Sequence, residues 1–214
     1  VIDIGCGDCY ISKDIQTKFV IGIDLNTHLL QTHKKVKCIT GDAEKIPLRN
    51  NIASIILCLD VLEHLNNPEK CLSEIYRISR TGAKIIITVP NLHHFDSLED
   101  LVRLHTKLYP FFNFFYKLKR KKDLSRFDRH LHKLTPNKWI EMIERAGLKV
   151  EKVSAVFMIP TFAIYPHHWL HKLDKFLYSI PGFLKLFLRI ENRLKEKYPF
   201  CFLGQLLLVI CSKL

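Results

Sequence analysis

The sequence predicts a doubly wound α/β fold, with a mostly parallel sheet and helical insertions in its C-terminal half. Three observations predict it. Short, β-branched apolar runs alternate with helix-length segments through the first ninety residues. Each of the first five runs ends in Gly, Asp or Pro. The runs are apolar throughout rather than alternating, as befits strands covered on both faces by helices.

The runs span residues 1–4, 19–23, 36–40, 52–59 and 83–89. Helices are expected between them at about residues 9–16, 26–34, 61–65 and 68–79. In the last of these Leu72, Ile75, Tyr76 and Ile78 form an apolar stripe, Pro68 stands early, and Gly82 suits a C-terminal stop. Residues 135–146 read as a further helix, with Thr135 as N-cap, Pro136 at the first position and Gly147 as its end. Residues 148–158 and 204–211 read as two more strands.

Composition is that of a folded globular chain: 214 residues, 48% hydrophobic and 25% charged. The formal net charge of +12 is unevenly placed. Residues 1–100 hold 11 Lys/Arg against 13 Asp/Glu, and residues 101–214 hold 22 against 8. The two halves are therefore expected to do different work. The chain opens at Val1 inside an apolar run, which predicts that the natural start lies upstream. It carries no signal-peptide pattern and no apolar window long enough to span a membrane. Seven cysteines, mostly within apolar runs, fit reduced thiols and a cytoplasmic protein. Cys6-Gly7-Asp8-Cys9 has the CxxC spacing of thioredoxin-like redox motifs, while a zinc site would need a second pair at ligand spacing.

The segment Asp3-Ile4-Gly5-Cys6-Gly7 follows a strand and precedes an expected helix, so its glycines would let a ligand approach and helix N-terminal amides would face it. Asp24 falls about twenty residues on, at the end of the second strand, where a carboxylate can take two ribose hydroxyls. Asp3 beside the loop disfavours a pyrophosphate and suits a ligand carrying positive charge. Gly41-Asp42-Ala43-Glu44 ends the third strand, where an acceptor could meet an adenine amine.

Taken together, VIDIGCGDC, IGIDLN, GDAEKIPL and IILCLDVLEHLNNPEKCLSEIYRISRTGAKIIITVPN resemble successive motifs of class I S-adenosylmethionine-dependent methyltransferases, near the quinone-type O-methyltransferase branch. The resemblance is dense over residues 1–90, looser over 127–157 and 204–213, and does not cover 101–126 or 158–198. It implies one domain over residues 1–214, with a cofactor-binding half at 1–90 and insertions at 101–126 and 158–198. It implies seven strands with the last antiparallel, and S-adenosylmethionine as cofactor. By the same resemblance, the Gly5-Cys6-Gly7 loop would pack on the methionine part and Asp3 would support its ammonium. Asp24 would bind the ribose hydroxyls and Leu25 would lie against adenine. Asp42 and Ala43 would meet the adenine amine, and Leu59 with Asp60 would line the methionine group. Cys9 replaces the family's third glycine.

Methyl transfer from a sulfonium leaves the protein mainly to position and desolvate the acceptor. Base candidates for a hydroxyl acceptor are His64, His94 (beside His93) and His130. If Asp60 began a helix, Asp60, Glu63 and His64 would share a face, and with His130 or His132 could hold a divalent metal. The alternative has Asp60 as an N-cap and no metal.

Residues 101–126 run from aromatic to basic, and residues 167–197 carry stripes such as Trp169, Leu173, Phe176, Leu177 and Ile180 with basic residues elsewhere. Three readings fit: helices packed on the sheet, a cap docking on an anionic membrane surface or lipidic acceptor, or a nucleic-acid surface. Leu and Ile at helical spacing among the aromatics favour the first two. The reading reached is O-methylation of a small, amphipathic acceptor. The alternatives are an RNA-directed methyltransferase and an inactive membrane- or partner-binding module on the same fold.

Overall fold

The computed structural model describes residues 1–17, 19–26, 36–91, 131–132, 134–156, 189–190, 192–197 and 206–214. Seven strands make one sheet: β1 (Ile2–Ile4), β2 (Val20–Asp24), β3 (Val36–Thr40), β4 (Ala53–Leu59), β5 (Ser79–Pro90), β6 (Leu148–Val156) and β7 (Leu206–Lys213). Their order is β3-β2-β1-β4-β5-β7-β6. β1 to β5 are parallel, and β7 lies antiparallel between β5 and β6. The expected doubly wound, mostly parallel sheet with an antiparallel last strand is the observed one. Strand order reverses between β1 and β4, so the ends of these strands flank the crevice where open α/β sheets bind ligands.

Helix α1 (Pro68–Ile78) begins where Asn67 accepts the Lys70 amide through Oδ1 at 3.0 Å. It buries Cys71, Leu72, Ile75 and Ile78, and burial of each of the three aliphatic side chains contributes about 1.5–3 kcal/mol. Tyr76, placed on the expected stripe, is instead at the surface, with Lys213 Nζ 4.3 Å from its ring centroid. Its place on the buried face is taken by Cys71. Helix α2 (Pro136–Arg145) buries Trp139 and Ile143. Gly147 ends it at φ +87°, as expected.

Several expectations need correction. Residues 9–16 form only a 3-10 turn at Ser12–Asp14, because Cys9 adopts φ +60° and Ile15 is already extended. Residues 61–65 likewise give a 3-10 turn, Leu62–His64. Gly82 does not stop α1. The helix ends at Ile78, and Gly82, at φ +76°, lies within β5, which starts four residues earlier than the apolar run because Ser79 pairs with Ala53. Thr135 occupies the N-cap position of α2, but its side chain makes no capping hydrogen bond. All but Asn26 of the helix expected at 26–34, and the segment 101–126, lie outside the described residues, as does most of 158–198. Among the described residues, no helix is long and apolar enough to cross a membrane.

Candidate functional site

The carboxyl ends of β1, β2, β3 and β4 bring the predicted residues to one edge of the sheet. Parallel pairing fixes this: Ile4 stands opposite Ile23 and Cys58, and Asp24 opposite Thr40. The glycine loop leaves β1 at Gly5 with φ +68°. A Cβ there would sit 2.4 Å from Val61 Cγ2, so glycine is required both by conformation and by space. Gly7, at φ +53°, has no neighbour within 4 Å of where a Cβ would stand, so the loop is open on that side.

The loop amides are not aimed at a ligand as expected. Gly5 and Cys6 both donate to the Ile23 carbonyl, at 2.7 and 3.1 Å, and Gly7 donates to Asp24 Oδ2 at 2.8 Å. With a 3-10 turn in place of the expected helix, no helical N-terminus follows the loop. Asp24 also accepts from the Asn26 amide through Oδ1 at 2.8 Å. Each carboxylate oxygen keeps a further lone pair for a hydroxyl donor. The adjoining Leu25 is 72% exposed.

Asp3 is buried, opposite Gly22 on β2 and Leu57 on β4. Burial pushes its pKa up to about 6; the Ser12 hydroxyl opposes the rise and the Asp24 charge adds to it. Asp42 lies at the surface in the turn after β3, where Oδ1 accepts from the Glu44 amide at 2.8 Å. Ala43 beside it is half-buried. Leu59, half-buried, closes β4.

Asp60 follows with φ +55°, an uncommon conformation for a residue with a side chain. Thr88 holds it there. The Asp60 amide donates to Thr88 O and Oγ1 at 3.2 and 3.0 Å, and the Thr88 hydroxyl donates to Asp60 Oδ1 at 2.8 Å. Asp60 is therefore neither the start of a helix nor an N-cap, and the shared face expected for Asp60, Glu63 and His64 does not form. Among the described residues, no group of three His, Cys, Asp or Glu is arranged to hold a metal ion.

Glu63 is 1% exposed, and its Oε2 has no hydrogen-bond partner among the described residues. Burial, helped by the Asp60 charge, pushes its pKa up to about 7. His64 is 44% exposed at its side chain, with Nε2 3.9 Å from Glu63 Oε1. His132 is tied down: its amide and that of Leu131 donate to the Glu63 carbonyl at 3.1 and 2.8 Å. Its Nε2 lies 2.9 Å from the Leu65 carbonyl. His93, His94 and His130 lie outside the described residues.

One feature escapes the sequence signals. Cys9 Sγ lies 3.2 Å from Cys6 Sγ and 3.4 Å from Cys38 Sγ. The CxxC spacing announces the first contact, but the second depends on strand register.

The profile of the methyltransferase-domain family matches residues 2–87. Among curated relatives, a Mycolicibacterium smegmatis protein described as a probable S-adenosylmethionine-dependent methyltransferase is 26% identical over 164 residues, 73% of this chain and 54% of its own. A ubiquinone biosynthesis O-methyltransferase from Dechloromonas aromatica is 29% identical over 42% of this chain and 44% of its own. The chain thus spans about half the length of these relatives. A SAM-dependent methyltransferase structure from Thermotoga maritima superposes over 100% of this chain and 81% of its own, with a TM-score of 0.63 at 19% identity. One from Archaeoglobus fulgidus gives 0.59 at 18% identity, over 99% of this chain and 85% of its own. Residues 2–87 thus match the methyltransferase-domain family, and the chain has the Rossmann-like fold of class I methyltransferases.

Proposed function

We propose that the protein binds S-adenosylmethionine at the ends of β1 to β4 and transfers its methyl group to an oxygen of a small, amphipathic acceptor. The observation that carries the reading is the coupling of the glycine loop to Asp24 through Gly7, beside the exposed Leu25. An open backbone surface, a carboxylate and an apolar platform are what a ribose and an adenine require in succession. The buried Asp3, ionised above about pH 6, supplies negative charge beside the loop for an ammonium or sulfonium.

The cofactor supplies an activated methyl on a good leaving group. The chain's residues then bind, orient and exclude water. Asp24 fixes the ribose end, Asp42 and Ala43 frame the adenine, and Leu59 and Asp60 line the methionine side. His64 is assigned the role of accepting an acceptor's proton; Glu63 Oε1 lies 3.9 Å from its Nε2 and, when ionised, would stabilise the charge that forms. An O-methyltransferase of ubiquinone biosynthesis among the relatives supports an oxygen acceptor with an apolar body. The apolar and basic segments at 101–126 and 167–197 support docking at an anionic membrane surface, where a peripheral protein in the cytoplasm would meet such an acceptor.

The test is incubation with methyl-labelled S-adenosylmethionine and, in turn, a phenolic or catecholic quinone precursor and RNA. Product mass reads the outcome. Labelled methyl on the phenol oxygen supports this reading, and label on RNA replaces it with the nucleic-acid one. Cofactor binding without transfer to either class overturns the acceptor assignment. No cofactor binding favours an inactive docking module.

A further inference from the structure

Strand register brings a third thiol to the CxxC loop. Gly22 on β2 stands opposite Asp3 on β1 and Cys38 on β3, so the three share one face of the sheet. Gly22 has no side chain, and the loop sulfurs fill its place. A Cβ on Gly22 would lie 2.7 Å from Cys6 Sγ and 3.0 Å from Cys9 Sγ. Cys9 is thereby held between Cys6 and Cys38, at 3.2 and 3.4 Å, within a small apolar cluster with Val20 and Val36. Cys9 is buried, whereas Cys6 and Cys38 are each half-buried.

We propose that Cys6, Cys9 and Cys38 form an oxidation site, at which a two-electron oxidant such as hydrogen peroxide closes a Cys6–Cys9 disulfide that weakens cofactor binding at the adjoining glycine loop. The binding half of this inference rests on the cofactor reading above; the disulfide half does not. The steps balance. The half-buried Cys6 sulfur attacks peroxide, giving a sulfenic acid and one water. The Cys9 sulfur displaces the hydroxyl from that sulfenic acid as a second water, forming the S–S bond. Two thiols lose two electrons and two protons, and one peroxide becomes two waters. Cys6 is the nearer of the two sulfurs flanking Cys9, and its i, i+3 relation is that of CxxC disulfides.

Rate and persistence separate. Burial raises the Cys6 thiol pKa well above the ordinary range, with the neighbouring thiols and Asp3 adding to it, and Cys38 is pushed up to about 11. Few thiolates exist at neutral pH, so oxidation is slow. Thiols that gain little from ionising also leave a disulfide that resists reduction. The site thus registers sustained oxidant rather than a brief pulse. Closing the bond draws the sulfurs together by about 1 Å, and the backbone between them carries Gly7, whose amide holds Asp24. That movement disturbs the ribose end of the site.

The experiment treats the full chain with hydrogen peroxide and reads intact mass and S-adenosylmethionine affinity by calorimetry, then alkylates the remaining thiols and maps disulfide-linked peptides. The expected result is a loss of about 2 Da, reversed by dithiothreitol, a Cys6–Cys9 linked peptide, and at least fivefold weaker binding. Cys38→Ser should retain the bond. Cys9→Ser should abolish it, and its affinity should be the same before and after peroxide. A linked peptide joining Cys9 to Cys38, no mass loss, or unchanged affinity after complete oxidation would each overturn the proposal. A reduced chain that binds no cofactor defeats the cofactor reading, while the mass and peptide readouts still decide the disulfide.

Discussion

The Gly7 amide donates to Asp24 Oδ2 at 2.8 Å, so the residue expected to hold the cofactor's ribose also holds the loop that faces it. One carboxylate thereby shapes two parts of the site. Asp24→Ala removes the acceptor for both the Gly7 and Asn26 amides. The expected cost is about 1–2 kcal/mol of stability and at least tenfold in S-adenosylmethionine affinity, or about 1.4 kcal/mol. Asp24→Asn keeps one oxygen and should retain more stability than affinity. Calorimetry and thermal melts separate the two quantities. Affinity within twofold of wild type for Asp24→Ala would remove Asp24 from the site.

Gly5→Ala should damage the protein more than Gly7→Ala. Both positions have positive φ and share the strain an added Cβ brings, on the order of 1–2 kcal/mol. Only Gly5 adds a collision, at 2.4 Å from Val61 Cγ2. Relief requires Val61 or the loop to move, and Val61 immediately follows Asp60 at the end of β4. Melting temperatures should fall in the order wild type, Gly7→Ala, Gly5→Ala. Gly5→Ala in a Val61→Ala background should regain part of the loss. If the double variant is no more stable than Gly5→Ala alone, the collision is not the cause.

Two buried carboxyls set a pH dependence of stability. Glu63 is raised to about 7 and Asp3 to about 6, both chiefly by burial. Between its unfolded and folded pKa each group is protonated in the native state and ionised in the unfolded one. The native state then binds more protons, so stability falls as pH rises from about 4.5 through 7. Glu63 contributes about 1–3 kcal/mol to this slope. The lowered carboxyls Glu74, Glu151 and Glu196 act in the opposite sense, and only below the ordinary Glu pKa. Tm should therefore drop between pH 5.5 and 7.5, and Glu63→Gln should flatten that drop. An equally steep profile in Glu63→Gln would assign the dependence elsewhere. Cofactor affinity should move the other way with Asp3, weakening below about pH 6 as its charge is lost.

The strands were legible because their information is local. The 36–40 run is β-branched, apolar and closed by Gly41-Asp42, and β3 spans Val36–Thr40. The turns between strands were less legible, because their shape depends on single dihedral signs. Cys9 and Asp60 both adopt positive φ, and each cuts short an expected helix. Nothing in residue type requires this; at Asp60 it is fixed by Thr88, twenty-eight residues away. The shared sheet edge of the residues expected to face a cofactor was legible, because most of them lie at or just past a strand end. The third thiol was not, because Cys38 reaches Cys9 only through the register that sets it opposite Gly22. The buried state of Glu63 was equally hidden, since a DxxEH string fits an exposed helical face as well as a 3-10 turn.

The loop carrying Asp42 and Ala43 is fastened to α1 by one arginine, which gives a test of how scaffold governs site. Arg77 donates to the carbonyls of Leu48 and Ile46 at 2.8 and 2.9 Å, and to both carboxylate oxygens of Glu74 at 2.7 Å. Glu74 Oε2 in turn accepts the Ile46 amide at 2.8 Å. The planar fork of a guanidinium meets the carbonyls and the carboxylate together, and an ammonium cannot. Charge-assisted hydrogen bonds of this kind contribute about 1.5–3 kcal/mol each before partial exposure reduces them. Arg77→Ala should cost about 2–3 kcal/mol overall, with Arg77→Lys recovering less than half. Removing Arg77 also frees residues 46–48, only a few residues from Asp42. S-adenosylmethionine affinity should consequently fall severalfold at a temperature where Arg77→Ala remains folded. A variant that loses stability but binds as wild type would show that the Asp42–Ala43 loop is positioned by β3 alone, through the Gly41 amide's 3.0 Å bond to the Asp24 carbonyl.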